Sequence, residues 1–275
     1  MNKNLSFGAH SLPTPDGKCR TIVFANQKGG VGKTTSCVNI AAGVALLGRR
    51  VLLVDLDPQG NASSGVGADK RSGMPTSYDV LIGRTDIRSA IRKTGYASLD
   101  VLAANMDLAG AEFELVTSDD RERRLKKMLD PVKPDYDYIF IDCPPSLGVL
   151  TVNALVAGDG IIIPMQCEYY SLEGLSQLVM SVKKVKKLYN PEITITGILI
   201  TMYNGRLNLS VQVLEELKKY YGDKLFSEPV VRNVRLSEAP GFGQPIQYYD
   251  KTSRGAEIYN NISHELIMRV ENPLS

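Results

Sequence analysis

Two lysines, Lys28 and Lys33, lie five residues apart around three glycines in the stretch NQKGGVGKTT (residues 26–35). Glycines allow the backbone to turn tightly, so that its amide groups can converge on one anion. A pair of threonines follows directly, and threonine hydroxyl groups are oxygen ligands of the kind that Mg²⁺ prefers. The spacing therefore predicts a loop that binds phosphate groups together with a metal ion.

The elements around this loop come in the order that a phosphate-binding loop requires. The run TIVFAN predicts a buried strand before it, and TTSCVNIAAGVALLG predicts a helix after it that ends at Gly48. The amides from Gly30 to Thr35 are then placed at the positive end of the helix, where they can bind phosphate oxygens. The residues predicted to bind the nucleotide are Gly29, Gly30, Val31, Gly32, Lys33, Thr34 and Thr35. Lys33 is expected to neutralise the β and γ phosphates, and Thr34 to ligate Mg²⁺.

Three aspartates stand where predicted strands end. Asp55 and Asp57 are two residues apart in VLLVDLDPQGN, and Asp142 closes the run YIFID. Residues two apart in a strand share a face, and ligands gather at the carboxyl ends of parallel strands. All three carboxylates are therefore expected near the metal and the γ-phosphate, with Asp142 holding Mg²⁺ directly or through water. An aspartate after a strand is by itself often only a turn residue, so this prediction depends on the phosphate loop.

Six apolar runs of strand length alternate with stretches of helical period along the chain. The strand candidates are TIVFAN, RVLLVDLD, LDVLAA, YIFID, GIIIP and ITITGILIT. One helix candidate begins directly after Lys33. The others cover residues 118–130, 147–157, 171–189, 207–221 and 254–270. Strands that are apolar throughout indicate a parallel sheet buried between helices. The predicted fold is α/β, a doubly wound, mostly parallel sheet with helices on both faces.

Composition narrows the class of protein. The chain has 275 residues, of which 43% are hydrophobic, and 32 basic against 30 acidic side chains give a net charge of +2. A nucleic-acid surface would therefore have to be local or assembled from more than one chain. No apolar run approaches the ~20 residues of a membrane span, and the N-terminus lacks an apolar signal core, so a cytoplasmic location is expected. Residues 1–20 are polar and aperiodic, which predicts a flexible extension before a single domain over residues 21–275.

The loop also resembles that of a known family. KGGVGKTT is similar to the deviant Walker A motif of the ParA/MinD class of dimerising P-loop ATPases, with Gln27 where the usual motif has glycine. The resemblance implies that ATP and Mg²⁺ are bound, and that Lys28 reaches across a nucleotide-sandwiched homodimer to the partner's phosphates while Lys33 serves its own subunit. The segment DLDPQGN implies that Asp57 orients the attacking water and that Asp55 lies in the outer metal shell.

Longer runs are similar to the ParA/Soj branch of this class, which segregates DNA. They are IDCPPSLGVLTVNAL, QCEYYSLEGL, GILITMYNGRLNLS and RNVRLSEAPGFGQPI, and the similarity spans residues 21 to about 270. It implies a slow Mg-dependent ATP hydrolase, non-specific DNA binding through Arg206 and Arg235, a ParB-like centromere-binding partner and a nucleoid-associated location. Chromosome and plasmid cargo both stay open. Family members carry proline before RNVR where this chain has Val231, so the resemblance does not fix the adenine contacts there.

Two alternatives within the same superfamily are open at this stage. A MinD-like membrane ATPase needs a basic amphipathic C-terminal helix, whereas ISHELIMRVENPLS holds only Arg269 as a cation beside two glutamates. An iron-sulfur carrier or scaffold needs paired cysteines at a dimer interface. The four cysteines show no C-x-x-C spacing, but Cys143 beside Asp142 leaves a shared site open. The lysines of KKVKK (residues 183–187) fit a DNA-binding face and a solvated helix equally well.

Overall fold

A computed structural model describes residues 14–70, 72–116 and 119–272. Its strands are β1 (Arg20–Phe24), β2 (Val51–Asp55), β3 (Ile91–Lys93), β4 (Leu99–Leu102), β5 (Tyr138–Asp142), β6 (Gly160–Met165) and β7 (Thr194–Ile200). They form one sheet in the order β3-β4-β2-β5-β1-β6-β7. All neighbouring strands are parallel except β3 and β4. The predicted doubly wound, mostly parallel sheet is confirmed, and all six predicted strands belong to it.

Helices cover both faces of the sheet. In the described residues they are α1 (Lys33–Leu46), α2 (Asn61–Gly65), α3 (Ser77–Leu81), α4 (Ile87–Ala90), α5 (Leu108–Val116), α6 (Arg124–Leu129), α7 (Val149–Ala157), α8 (Ser171–Leu188), α9 (Asn208–Tyr221), α10 (Val234–Glu238), α11 (Ile246–Tyr249) and α12 (Arg254–Glu271). Tyr138 and Phe140 of β5 share a core with α1 and α12, while Ile139 and Ile141 share one with α7 and α8. Successive strand residues point to opposite faces, which explains why the strand sequences are apolar throughout.

Most of the predicted helices agree with the structure to within two residues. The exception is the helix predicted over residues 118–130, which is shorter. Ser118 lies outside the described residues, Arg121–Arg123 form a 3-10 turn, and α6 begins only at Arg124. Gly48 has a φ of 85°, the left-handed conformation expected just after the last turn of α1. The six unpredicted helices, α2 to α5, α10 and α11, have four to nine residues, too few to show a clear helical period.

The two ends of the chain are described in part. Residues 1–13 of the predicted flexible extension and residues 273–275 at the other end lie outside the described residues. Residues 14–19 form a turn before β1, in which Gly17 N donates a hydrogen bond of 2.9 Å to Thr14 O. Among the described helices, none combines the length and the apolar composition that crossing a bilayer requires.

The end of α12 is tied to the segment before β2 by a buried ion pair. Arg49 donates two hydrogen bonds to the Glu271 carboxylate, with Nε–Oε1 at 2.9 Å and Nη2–Oε2 at 2.7 Å. Tyr138 donates a third through its hydroxyl, also at 2.9 Å. The two charged side chains are only 12% and 2% exposed. This bidentate ion pair holds the C-terminal helix against the sheet.

Replacing Glu271 by glutamine is expected to lower the free energy of unfolding by about 1 to 3 kcal/mol, because the buried Arg49 guanidinium loses the charge of its Glu271 partner. Glu257→Gln is the matched control. Glu257 lies on the same helix, but its pair with Arg254 is largely exposed, so its loss is expected to cost about 0 to 1 kcal/mol. Denaturant unfolding of both variants measures the difference, and equal losses would contradict the stabilising role of the buried pair.

Candidate functional site

The strand register brings the predicted site residues to one edge of the sheet. Phe24, the last residue of β1, pairs with Asp142, and Asp55 at the end of β2 pairs with the same residue from the other side. The loop that follows β1 therefore begins beside both carboxylates. This is the carboxyl edge, where doubly wound sheets bind their ligands.

The glycine-rich loop has the shape that its sequence predicts. Gly30 and Gly32 have φ values of 71° and 80°, in the left-handed region that glycine adopts without strain. Gly32 is the N-cap of α1, and the described residues provide no side-chain cap there. The first amides of α1 are consequently available to an anion, and the helix dipole adds positive potential.

The loop is braced from β6 and β7 by three residues that the sequence did not single out. Asn26 Nδ2 donates to Pro164 O at 2.8 Å, and Gln166 Nε2 donates to Gly30 O at 3.0 Å. Thr201 donates through its hydroxyl to Val31 O at 2.8 Å. Each bracing side chain lies within two residues of a strand end. The rule that drew attention to the aspartates, a polar residue just after a buried strand, would have found all three.

The two lysines of the loop occupy different environments. Lys33 is only 6% exposed, and its ammonium donates a hydrogen bond of 3.1 Å to Lys28 O inside the loop. Burial lowers the pKa of Lys33, and the nearby Asp142 carboxylate opposes the change. The Lys28 side chain is 44% exposed and its ammonium contacts the Glu168 carboxylate. The Lys33 ammonium thus lies within the loop, whereas the Lys28 ammonium contacts a side chain outside it.

Asp55 and Asp57 are both buried, and both carboxylate oxygens of Asp55 accept hydrogen bonds. Its Oδ1 accepts from Asp57 N at 3.1 Å, and its Oδ2 accepts from Ser63 N at 2.8 Å and Ser63 Oγ at 2.7 Å. Burial raises the pKa of Asp55 to about 6, against the lowering effect of these donors. Asp57 Oδ1 accepts from Gln59 N at 3.0 Å. The backbone of the loop after β2 is therefore fixed by its own carboxylates.

Asp142 differs from Asp55 in its hydrogen bonding. It is fully buried, and neither carboxylate oxygen has a hydrogen-bond partner in the described part of the chain. Burial and the adjacent Asp55 raise its pKa well above the ordinary value, while Thr34 and Lys33 lie close enough to oppose the rise. A buried carboxylate without partners is costly unless a cation joins it. The carboxylate and the threonine hydroxyl are hard oxygen ligands that fit Mg²⁺, which commonly completes its shell with phosphate and water.

A cavity of about 540 Å³ opens beside the start of α1. Its walls include Gly32, Thr35, Val231, Arg232 and Val234. Small-molecule sites are typically of this size and mostly apolar, so the cavity is large enough for a nucleobase. Val231, where the family has proline, forms an isolated bridge with Tyr203 and lies in this wall.

The two arginines predicted to bind DNA are not among the residues that line this cavity. Arg206 is exposed just before α9. Arg235 belongs to α10 and pairs with Glu238 at 2.9 Å and with Asp250 at 3.4 Å. The neighbours of Arg235 in α10 line the cavity beside the loop. The lysines of KKVKK lie exposed on α8.

The membrane alternative depends on Arg269 and the iron-sulfur alternative on Cys143. The surroundings of both residues disfavour these roles. The Arg269 guanidinium donates to Lys224 O at 3.1 Å, contacts Leu225 O and lies 4.5 Å from the centre of the Phe226 ring. Its charge is thus used within the fold, which disfavours a lipid contact. Cys143 is fully buried, and burial raises the pKa of its thiol well above the ordinary value. This disfavours the thiolate that a cluster site requires.

Comparison with known proteins identifies relatives over nearly the whole chain. A family model described as an AAA domain matches residues 19–195. The sporulation initiation inhibitor protein Soj of Bacillus subtilis is 54% identical over 247 residues, which cover 90% of this chain and 98% of that protein. The chromosome partitioning protein ParA of Myxococcus xanthus is 50% identical over 250 residues, or 91% of this chain and 88% of that protein.

A solved structure has the same fold. Cobyrinic acid a,c-diamide synthase from Mycobacterium smegmatis, with bound ADP and magnesium, superposes with a TM-score of 0.82 at 35% identity and covers 93% of this chain and 97% of that one. One fold can host different chemistries, so the sequence relatives carry more weight for function. Identities of 50% and 54% over nine-tenths of the chain settle the family. The chain belongs to the ParA/Soj family of chromosome-partitioning ATPases.

Proposed function

We propose that residues 21–275 form a single domain that dimerises on Mg-ATP, binds DNA without sequence preference and is reset by slow ATP hydrolysis, so that a chromosome or plasmid is partitioned. The observation that supports this best is the buried, unpartnered Asp142 carboxylate beside Lys33 and Thr34. Such a group is costly in its ionised form unless a cation joins it, and Mg²⁺ that arrives with ATP fits the oxygen donors present. ADP and magnesium in the related synthase agree with this choice.

The loop from Gly29 to Thr35 is proposed to bind the phosphates. Its amides converge on the phosphate oxygens, and the Lys33 ammonium leaves Lys28 O to neutralise the β and γ phosphates. Thr34 and Asp142 would hold Mg²⁺, with Asp55 behind them in the outer shell. The metal supplies neutralisation of the charge that develops between the β and γ phosphates.

Asp57 is proposed to orient the attacking water. One of its carboxylate oxygens accepts the hydrogen bond from Gln59 N, which fixes the group and leaves the other oxygen for a water molecule. Phosphoryl transfer depends mostly on positioning and charge neutralisation, which the loop, the metal and this carboxylate together provide. We expect slow turnover because the site also requires a cation from a second subunit.

Lys28 is proposed to be that cation. Its contact with Glu168 is an exposed ion pair, a kind worth about 0 to 1 kcal/mol, so the lysine can exchange it for the partner's phosphates at little cost. Tyr169 and Tyr170, next to Glu168, are 74% and 72% exposed. Exposed aromatic side chains are enriched at protein interfaces, which supports association of two copies at this edge.

Arg206 and Arg235 are proposed to contact DNA phosphates. With a net charge of +2, one chain has little net attraction for DNA, and a two-fold axis would double the number of arginines engaged at once. Contacts to phosphate position a protein on DNA without reading its sequence. A nucleoid-associated location follows from such binding, and a ParB-like protein that stimulates hydrolysis is the proposed partner that releases the dimer.

Replacing Arg206 or Arg235 by alanine is expected to flatten the dependence of log affinity on log salt by roughly two units, about 0.9 for each phosphate that the dimer no longer neutralises. Filter binding at several salt concentrations measures the slope, with Asp57→Ala protein held in ATP. Affinity should fall alike on AT-rich and GC-rich duplexes.

Arg88→Ala is the matched control for these variants. Arg88 is an exposed arginine on α4, which leads into β3 at the opposite edge of the sheet from β7 and Arg206. The slope should therefore stay at the parental value. Unchanged slopes in both the Arg206 and the Arg235 variant, or equal DNA binding with ADP and with ATP, would refute the DNA mechanism. Either result would favour the membrane or metal-carrier alternatives.

A further inference from the structure

A chain of buried hydrogen bonds lies behind Asp57 and connects it to the end of β4. Ala104 N donates to Ser63 Oγ at 2.9 Å, and Ser63 Oγ donates in turn to Asp55 Oδ2 at 2.7 Å. The Ser63 amide adds a second bond to the same oxygen at 2.8 Å. The other Asp55 oxygen accepts from Asp57 N at 3.1 Å. The backbone position of Asp57 is therefore set through Asp55 by Ser63.

The Ser63 hydroxyl uses its one proton and also accepts one hydrogen bond within the described residues. The side chain is fully buried, and its single O–H is donated to Asp55 while its oxygen accepts from Ala104. Hydrogen bonds to a buried carboxylate are short and strong, and a chain of them polarises each member. No other side-chain hydroxyl in the described residues donates to the Asp55 carboxylate.

The segment between Asp57 and Ser63 leaves little freedom for compensation. Gly60 has a φ of 62°, and a Cβ added there would lie 2.7 Å from Ala104 O. The turn therefore packs directly against the residue whose amide binds Ser63. Gly60 N also donates to Asp57 O at 2.8 Å, so the turn is closed upon Asp57.

We propose that Ser63 is a positioning residue for ATP hydrolysis, which acts through Asp55 to hold Asp57 where the attacking water is oriented. The inference rests on the role proposed above for Asp57. Ser63 follows the carboxylates along the chain and is far from the phosphate loop in sequence, and it touches neither the nucleotide cavity nor the loop amides. Its loss should affect the rate of hydrolysis and leave the binding of ATP in place.

The test replaces Ser63 by alanine in the full chain and compares it with Ser64→Ala. Ser64 is the matched control, since its hydroxyl lies in the same short helix but donates only to Gly60 O, at 3.2 Å. Ser63→Ala is expected to lower turnover by about tenfold to a hundredfold, the loss that a small misplacement of a catalytic group produces. ATP affinity and ATP-dependent dimerisation should stay within about twofold of the parent. Ser64→Ala should be close to the parent in all three.

Ser63→Thr keeps the hydroxyl and is expected to restore most of the turnover. If Ser63→Ala does not fold, as thermal unfolding would show, Ser63→Cys takes its place. Its thiol is a weaker donor of similar size, so it should lower turnover while keeping ATP affinity.

The proposal is overturned if Ser63→Ala turns over ATP at the parental rate, if it equals Ser64→Ala, or if its ATP affinity falls as much as its turnover. Failure of the Asp57 assignment is a separate outcome. In that case Asp57→Ala itself would hydrolyse ATP normally, whatever the Ser63 variants do.

Discussion

Lys33→Ala is expected to lose about tenfold to a hundredfold in ADP affinity as a monomer, whereas Lys28→Ala is expected to keep that affinity within about twofold. The reason is the placement of the two ammonium groups. Lys33 is buried inside the loop, where a charge-assisted hydrogen bond to phosphate is worth about 1.5 to 3 kcal/mol. The Lys28 ammonium contacts Glu168 instead, so we expect no contribution from it to nucleotide held in its own subunit.

The effect of losing Lys28 is expected to appear in dimerisation and hydrolysis instead. Lys28→Ala is expected to lose ATP-dependent dimerisation and at least about a thousandfold in turnover, the scale at which a cation supplied in trans assists phosphoryl transfer. Calorimetry with ADP and size-exclusion chromatography with ATP provide the two measurements. Lys187→Ala, an exposed lysine at the end of α8, is the control and should match the parent in nucleotide binding and dimerisation.

The assignment of Lys28 to the partner's phosphates is wrong if Lys28→Ala weakens ADP binding by the monomer as much as Lys33→Ala does. It is also wrong if Lys28→Ala dimerises with ATP and hydrolyses it like the parent.

Asp57→Ala is expected to bind Mg-ATP, to dimerise and to lose about a hundredfold to ten-thousandfold in turnover, the range that a positioned acid–base group supplies. Phosphate neutralisation by Lys33 and the metal residues is untouched, so the ATP dimer should persist. Size-exclusion chromatography with ATP and phosphate-release assays measure the two effects.

Asp57→Asn separates the chemistry from the loop geometry. Its side-chain oxygen can still accept the hydrogen bond from Gln59 N, so the loop keeps its shape while the carboxylate charge is removed. We expect it to be as inactive as Asp57→Ala. A variant that stays monomeric with ATP, or that hydrolyses it at the parental rate, would refute the role of Asp57.

The sequence predicts those parts of the site whose residues lie close together along the chain. The loop from Gly29 to Thr35, its flanking strand and helix, and the carboxylates at strand ends are each contained in a short stretch with a known geometric consequence. The family resemblance predicts that Lys28 reaches the partner, but no sequence pattern indicates its contact with Glu168. That contact joins residues 140 apart in the chain.

The remaining parts depend on contacts between distant segments. Gln166 and Thr201 meet the loop across separations of 136 and 170 residues. Periodicity carries no information about such pairings. Ser63 was missed although it is close to Asp55 in sequence, because a serine in a short helix is usually a cap or a solvated residue. The edge strand β3 was missed because Ile91-Arg92-Lys93 is short and two of its three residues are charged.

The two edges of the sheet bear on how copies of this chain can associate. At one edge, β3 has three residues, and Arg92 and Lys93 are tied to neighbouring carbonyl and carboxylate groups. At the other, the outer backbone groups of β7 are occupied: Ile198 N donates to Lys224 O at 2.8 Å and Val230 N donates to Ile200 O at 2.8 Å. In the described residues, therefore, neither edge offers a long open ladder for a strand from another molecule. This protects the protein from growing into β-linked aggregates, and it leaves association to contacts other than strand pairing.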